Sequence, residues 1–107
     1  ISATSTLRIN VIWCGSNNSA ASTFTAALFQ DSTANALAAQ SSTYGGAHYM
    51  TVFNFNYFMT SGTTSSTTFK VRVGSNIAGT TTFNGYAGGR TYGGVMASSI
   101  IITEYFV

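Results

Sequence analysis

Reactive chemistry in this chain would have to come from very few side chains. The acids are Asp31 and Glu104, the lone histidine is His48 and the lone cysteine is Cys14. A retaining glycosidase sets two carboxylates about 5 Å apart, and an inverting one spaces them further to admit a water. Such a pair would have to take both acids of the chain, which fall in separate strand-like segments. A serine–histidine–acid relay would need His48 and Asp31, and the G-x-S-x-G turn that presents a nucleophile is absent. Cys14 has no second cysteine with which to form a disulfide or share a zinc ion. Inside an apolar run it reads as a small buried hydrophobe. His48 reads as a loop or strand-edge residue, and three copies would meet to hold an ion only in a threefold assembly. The sequence therefore predicts a protein that is not an enzyme and that uses no metal or cofactor.

Binding chemistry is better represented. The segment Asn84–Gly94, NGYAGGRTYGG, sets Tyr86 and Tyr92 on either side of Arg90. Aromatic faces and a planar guanidinium fork suit a sugar ring that carries an anionic substituent. It is not a phosphate loop, because neither G-K-[ST] nor a helix follows it. Tyr44, in the segment SSTYGGA, offers the same kind of contact. The expected ligand-binding residues are Tyr86, Arg90, Tyr92 and Tyr44; the competing reading is a turn whose tyrosines pack on the domain itself. Asn17-Asn18-Ser19 has the form of a glycosylation sequon, which carries meaning only in a glycosylating host.

The elements that must position these groups follow from composition and periodicity. A chain of 107 residues is one domain's worth. It is 45% hydrophobic and 14% aromatic but only 6% charged, where an ordinary soluble domain has about 25% charged residues. Such apolar content excludes disorder. Solubility must then come from hydroxyls and amides, which suits an extracellular or virion protein. The net charge of +2 rests on four cations without a cluster, so the footprint of nucleic-acid binding is missing. No apolar run reaches the roughly 18 residues of a membrane-inserting segment, and no signal peptide is recognisable. The chain opens at Ile1 without an initiator methionine and reads as the C-terminal piece of a longer protein.

The hydrophobic period is two almost throughout. Leu7, Ile9, Val11 and Trp13 alternate with Arg8, Asn10, Ile12 and Cys14 as one strand. Gly15–Ser22 reads as a loop, Thr23–Asp31 as a strand, and a turn at Ser32–Asn35 leads to a further short strand. Ser41–Ala47 reads as a loop before the long strand Tyr49–Met59. Thr67–Val73 has Phe69, Val71 and Val73 on one side and Thr68, Lys70 and Arg72 on the other. Thr80–Phe83 and Ser98–Phe106 follow, around the glycine-rich loop. About seven or eight strands with Gly/Ser/Asn turns and no helix predict an antiparallel β-sandwich or a closed barrel. Trp13, Phe69 and Val71 are expected inside, opposite Lys70 and Arg72.

Two strands carry more apolar surface than one core requires. Tyr49–Met59 is largely apolar on both faces, and Ile100, Ile101 and Ile102 are consecutive. A strand apolar on both sides is buried on both sides, and the economical cover is another subunit. Phe53, Phe55, Tyr57, Ile100 and Ile102 are assigned to that oligomer interface.

The opening ISATSTLRINVIW, the segment SGTTSSTTFKVRVGS and the closing ASSIIITEY together resemble a C-terminal domain of bacteriophage tail fibres. A Ser/Thr-rich lead into a first apolar strand, a Gly-Thr-Thr-Ser turn before an aromatic-x-Val strand, and a terminal Ser-x-Ile strand carry the likeness. The sequence lacks the proline that often follows the first Ile and has a longer glycine-rich loop. The resemblance implies a jelly-roll-like sandwich, similar in plan to trimeric tumour-necrosis-factor-like or C1q-like heads, at the tip of a virion appendage. It further implies a homotrimer that binds a host-cell surface receptor, often a glycan. The alternatives are a structural trimerisation, capping or capsid decoration module, and a bacterial lectin or adhesin domain.

Overall fold

The computed structural model describes residues 2–18, 22–44, 50–86 and 88–106. In chain order its strands are β1 (Thr6–Asn17), β2 (Ser22–Gln30), β3 (Ala38–Tyr44), β4 (Thr51–Thr60), β5 (Phe69–Ser75), β6 (Thr81–Phe83), β7 (Gly85–Tyr86), β8 (Gly89–Arg90) and β9 (Ser99–Tyr105). A single 3-10 turn at Tyr92–Gly94 lies between β8 and β9. There is no α-helix among the described residues.

Strand β1 organises the molecule. Its alternation places Leu7, Ile9, Val11 and Trp13 on one side, none more than 2% exposed. On one flank it pairs antiparallel with β4 over its length. On the other flank it pairs with β9 along Thr6–Ile12 and with β6 along Gly15–Asn17. The second sheet is centred on β2, with β3 and β5 on its flanks. Phe24, Ala26 and Leu28 of β2 face the apolar side of β1 and are buried. Trp13, Phe24, Ala26 and Phe53 fill one half of the core, and Leu7, Ile9, Val11 and Leu28 fill the other. The fold is an antiparallel β-sandwich. Residues 24–40 are rich in alanine and leucine yet form strand–turn–strand, since Phe24, Ala26 and Leu28 are buried together and share one face only at a period of two.

The expected β-sandwich and its β1 and β5 core positions stand. Trp13 is buried, and Phe69 and Val71 pack half-buried against the core. Lys70 and Arg72 lie on the opposite face of β5, where the Arg72 guanidinium sits 5.3 Å from the Phe29 ring centroid. Two expected loops are shorter than supposed: β1 continues to Asn17 and β3 includes Ser41–Tyr44. Their Ser, Thr and Asn side chains are compatible with a strand when a neighbour accepts the backbone bonds, as β6 does for Gly15–Asn17.

The face of β4 assigned to subunit contacts is corrected. Phe53, Phe55 and Tyr57 stand opposite Trp13, Val11 and Ile9 in the β1–β4 register. Directly opposed residues share a face, so these three belong to the domain's own core, with Phe53 fully buried and Phe55 and Tyr57 packed against it. The outward face of β4 carries Val52, Asn54, Asn56 and Phe58 instead.

One lateral side of the sandwich is closed and the other is open. At the β3–β4 side, the Asn54 N–H donates to Gln40 Oε1 at 2.9 Å. At the β5–β9 side the sheets splay. Ile100 and Ile102 share the inward face with Val11 and Ile9, yet are 38% and 49% exposed. Ile101 faces outward beside Asn10 and is 53% exposed.

Candidate functional site

The glycine-rich segment is a built structure with a fixed base. The Asn84 N–H donates to the Cys14 carbonyl at 2.8 Å. Asn84 Oδ1 accepts from Ser98 Oγ at 2.7 Å and from Cys14 Sγ at 3.6 Å. Ser98 Oγ in turn accepts the Cys14 N–H at 3.2 Å. Cys14 thus lies buried under the loop on the outer side of β1, as a small side chain filling a joint. Beyond this base β7 and β8 form a tight hairpin, in which Gly85 pairs with Arg90 and Tyr86 with Gly89. A Cβ on Gly85 would fall 1.9 Å from the Gly89 carbonyl oxygen, so the hairpin closes only with glycine there.

The Arg90 guanidinium is exposed and Nη2 donates to the Met96 carbonyl at 2.7 Å. It therefore ties the loop across its own mouth while leaving further N–H groups outward. Tyr92 opens the 3-10 turn with φ 52 and is 80% exposed. A non-glycine residue held at positive φ is strained, and this backbone turns the ring out into solvent. Tyr86 and Tyr44 lie in strands β7 and β3, but their side chains fall outside the described residues, as does the whole of His48. Tyr44 ends an outer strand of the three-stranded sheet, pairing with Ser22. Of the four residues expected to bind, the structure thus sets Arg90 and Tyr92 together on one loop.

The open side supplies a second feature. Two apolar clefts of about 230 and 240 Å3 run along it. The first is walled by Val11, Trp13, Val71, Phe83 and Ile100. The second is lined by Leu7, Phe69 and Ile102 together with the polar stretch 64–67. Ile100 and Ile102 thus line an unfilled seam between the sheets.

The acids are engaged with backbone. Asp31 Oδ1 accepts the Thr68 N–H at 2.9 Å and Glu104 Oε2 accepts the Ser2 N–H at 2.9 Å. The Ser2 N–H holds the Glu104 carboxyl below its ordinary value. No group of three or more His, Cys, Asp or Glu side chains gathers among the described residues. No helix among them is long and apolar enough to cross a membrane.

The chain matches no family model, no curated protein and no solved structure. Function must then be argued from the surfaces. Sequence reasoning passed over one of them: Arg8, Asn10, Asn54 and Asn56 meet on the outer face of the β4–β1–β9 layer. The signal was present in the polar positions of the two alternating strands, and only their register joins it.

Proposed function

We propose that this domain is a homotrimeric attachment head of a virion appendage, a tail fibre or a similar structure, that binds host-cell surface glycan and catalyses no reaction. The observation that carries this reading is β9, which exposes isoleucine on both faces, with Ile100 and Ile102 lining the open seam. A contiguous apolar seam on a soluble domain marks an assembly surface, and a second copy seated there would finish the core that one chain leaves incomplete. Assembly suits attachment, because several weak sites on one particle bind far more tightly than one. The Arg90–Tyr92 loop supplies an exposed aromatic ring and a guanidinium on a rigid base, the equipment for a sugar with an acidic group. The resemblance to tail-fibre tips supports the virion setting.

Light scattering on the eluting protein and adsorption to host cells test the two halves. The wild-type chain is expected at three times its monomer mass, and Ile100→Asp with Ile102→Asp at monomer mass, since a seam would bury an unpaired charge. Tyr92→Ala is expected to keep the trimer and lose adsorption. A monomeric wild type sinks the assembly reading. Undiminished adsorption by Tyr92→Ala combined with Arg90→Ala removes the loop as the site.

A further inference from the structure

We propose that the outer face of the four-stranded sheet is a second saccharide site, built for a pyranose that bears a carboxylate and centred on Arg8, Asn54 and Asn56. It goes beyond the loop reading and does not depend on it.

In register, Arg8 stands opposite Phe58, Asn10 opposite Asn56, and Ile12 opposite Asn54. Arg8 Nε donates to Asn56 Oδ1 at 3.3 Å. Asn10 Nδ2 donates to Asn56 Oδ1 at 2.9 Å and to Asn54 Oδ1 at 3.2 Å. Amide orientation is normally an assignment, but here chemistry fixes it. Arginine can only donate, so its partner on Asn56 is the oxygen. The Asn10 atom facing that oxygen must then be nitrogen, and the Asn54 atom facing that nitrogen must be oxygen.

This relay determines what the face offers outward. Nδ2 of Asn54 and of Asn56 are left as donors, Asn10 Oδ1 as an acceptor, and the two Nη groups of Arg8 as an open fork. Beside the fork lies the Phe58 ring, 60% exposed. Vicinal hydroxyls take paired amide donors and acceptors, a carboxylate takes the guanidinium fork, and the apolar face of a pyranose stacks on an aromatic ring. Fixing exposed side chains in water gains little net free energy, whereas a pre-ordered array spares its ligand that entropy cost.

Charge selects the occupant. Arg8 is the only charged residue that β1, β4 and β9 turn to this face among the described residues, so an anion meets no opposing carboxylate from these strands. A carboxylated sugar, of the uronic or sialic kind, satisfies the fork, the amides and the ring together.

The test is a titration of the isotopically labelled full chain, followed by backbone and side-chain amide signals. The probes are methyl glucuronide, methyl glucuronamide and methyl glucoside. The glucuronide is expected to shift the Arg8, Asn10, Asn54, Asn56 and Phe58 signals saturably and to bind about tenfold or more tightly than either neutral sugar. Arg8→Gln should bring the glucuronide down to the neutral level, and Tyr92→Ala should leave the outer-face shifts unchanged. The amide sugar removes the charge from the ligand, so the comparison stands even if the Arg8 variant does not fold. Equal binding of glucuronide and glucuronamide overturns the proposal, as does the absence of saturable shifts on this face up to about 50 mM. Burial of the Asn54 and Asn56 amides in an assembled oligomer overturns it too, and reassigns the face to subunit contact. Shifts confined to 85–95 would leave the loop reading standing and this one refuted.

Discussion

Replacing Gly15 by alanine would set a Cβ 2.2 Å from the Thr82 carbonyl oxygen and 2.6 and 2.8 Å from Cη2 and Cζ2 of Trp13. Neither neighbour is free to retreat. Thr82 lies in the β1–β6 ladder, opposite Ser16. The indole is held edge-on against Phe24 and Phe83, with centroids at 5.3 and 5.2 Å, and tilted against Phe53 at 5.9 Å. Overpacking of this kind costs about 1–3 kcal/mol. Alanine recovers roughly 0.4–1 kcal/mol by restricting the unfolded chain, which leaves a net loss of about 1–2 kcal/mol. At about 4–8 °C per kcal/mol for a domain near this size, Tm should fall by roughly 5–15 °C. The protein reports on the site itself, because Trp13 is its only tryptophan: its emission follows melting and registers any displacement of the ring. Gly74→Ala is the control, since a Cβ there meets nothing within 4 Å. That variant should match the wild type or gain up to about 1 kcal/mol. If Gly15→Ala and Gly74→Ala melt together, the close approach of β6 and the indole to Gly15 is wrong.

Leu28→Ala removes a fully buried side chain from between the sheets; urea unfolding should register a loss of about 2–5 kcal/mol, and a loss below about 1 kcal/mol would mean that the sheets close over the gap. Glu104 carries a pH prediction: its carboxyl is held below its ordinary value by the Ser2 N–H. A group depressed on folding stabilises above its unfolded value, and that contribution fades as pH falls through the folded value. Tm measured from neutral pH downward should therefore decline below about pH 4.5, less steeply in Glu104→Gln; parallel acid limbs would deny the bond to Ser2 any role in stability. Arg90→Lys keeps the charge but cannot present the planar fork, so hydrogen exchange at 91–96 should accelerate if the Arg90–Met96 bond ties the loop, and stay unchanged if it does not.

What was legible in the sequence depended on contrast between alternating positions. Leu7–Trp13 and Phe69–Val73 each set an apolar row against a polar one, and both were read with the correct side inward. On β4 that contrast is missing at both ends, since Phe53 is followed by Asn54 but Val52 and Phe58 lie on the supposedly polar row. When both rows are apolar, parity carries no information about which faces the core. The β1–β4 register resolves it by setting Phe53 opposite Trp13, a contact between positions 40 apart that local pattern does not encode. Ser41–Tyr44 reads as a loop for a related reason. An outer strand of a sheet buries little, so serine and threonine serve it well and its composition resembles that of a turn.

The candidate surfaces were half legible, and contiguity along the chain explains which half. The types of residue in Asn84–Gly94 announce themselves because they are contiguous. The outer-face array was invisible, because Arg8 reaches Asn56 only through strand pairing, and the bond from Arg90 to Met96 crosses a loop whose shape the sequence does not state. Once the fold is known, the six charged residues of the chain divide in a telling way. Each carboxylate accepts one backbone N–H, Asp31 from Thr68 and Glu104 from Ser2. Lys70 and Arg72 share the outward side of β5, where Arg72 lies over the Phe29 ring. Arg8 and Arg90 each use one arm of the guanidinium to order their own surroundings and hold the rest outward. Two of the four cations are thereby presented on folding as outward donor forks. Such forks are complementary to carboxylate far more than to neutral hydroxyl, which is why an acidic sugar is the ligand proposed for both.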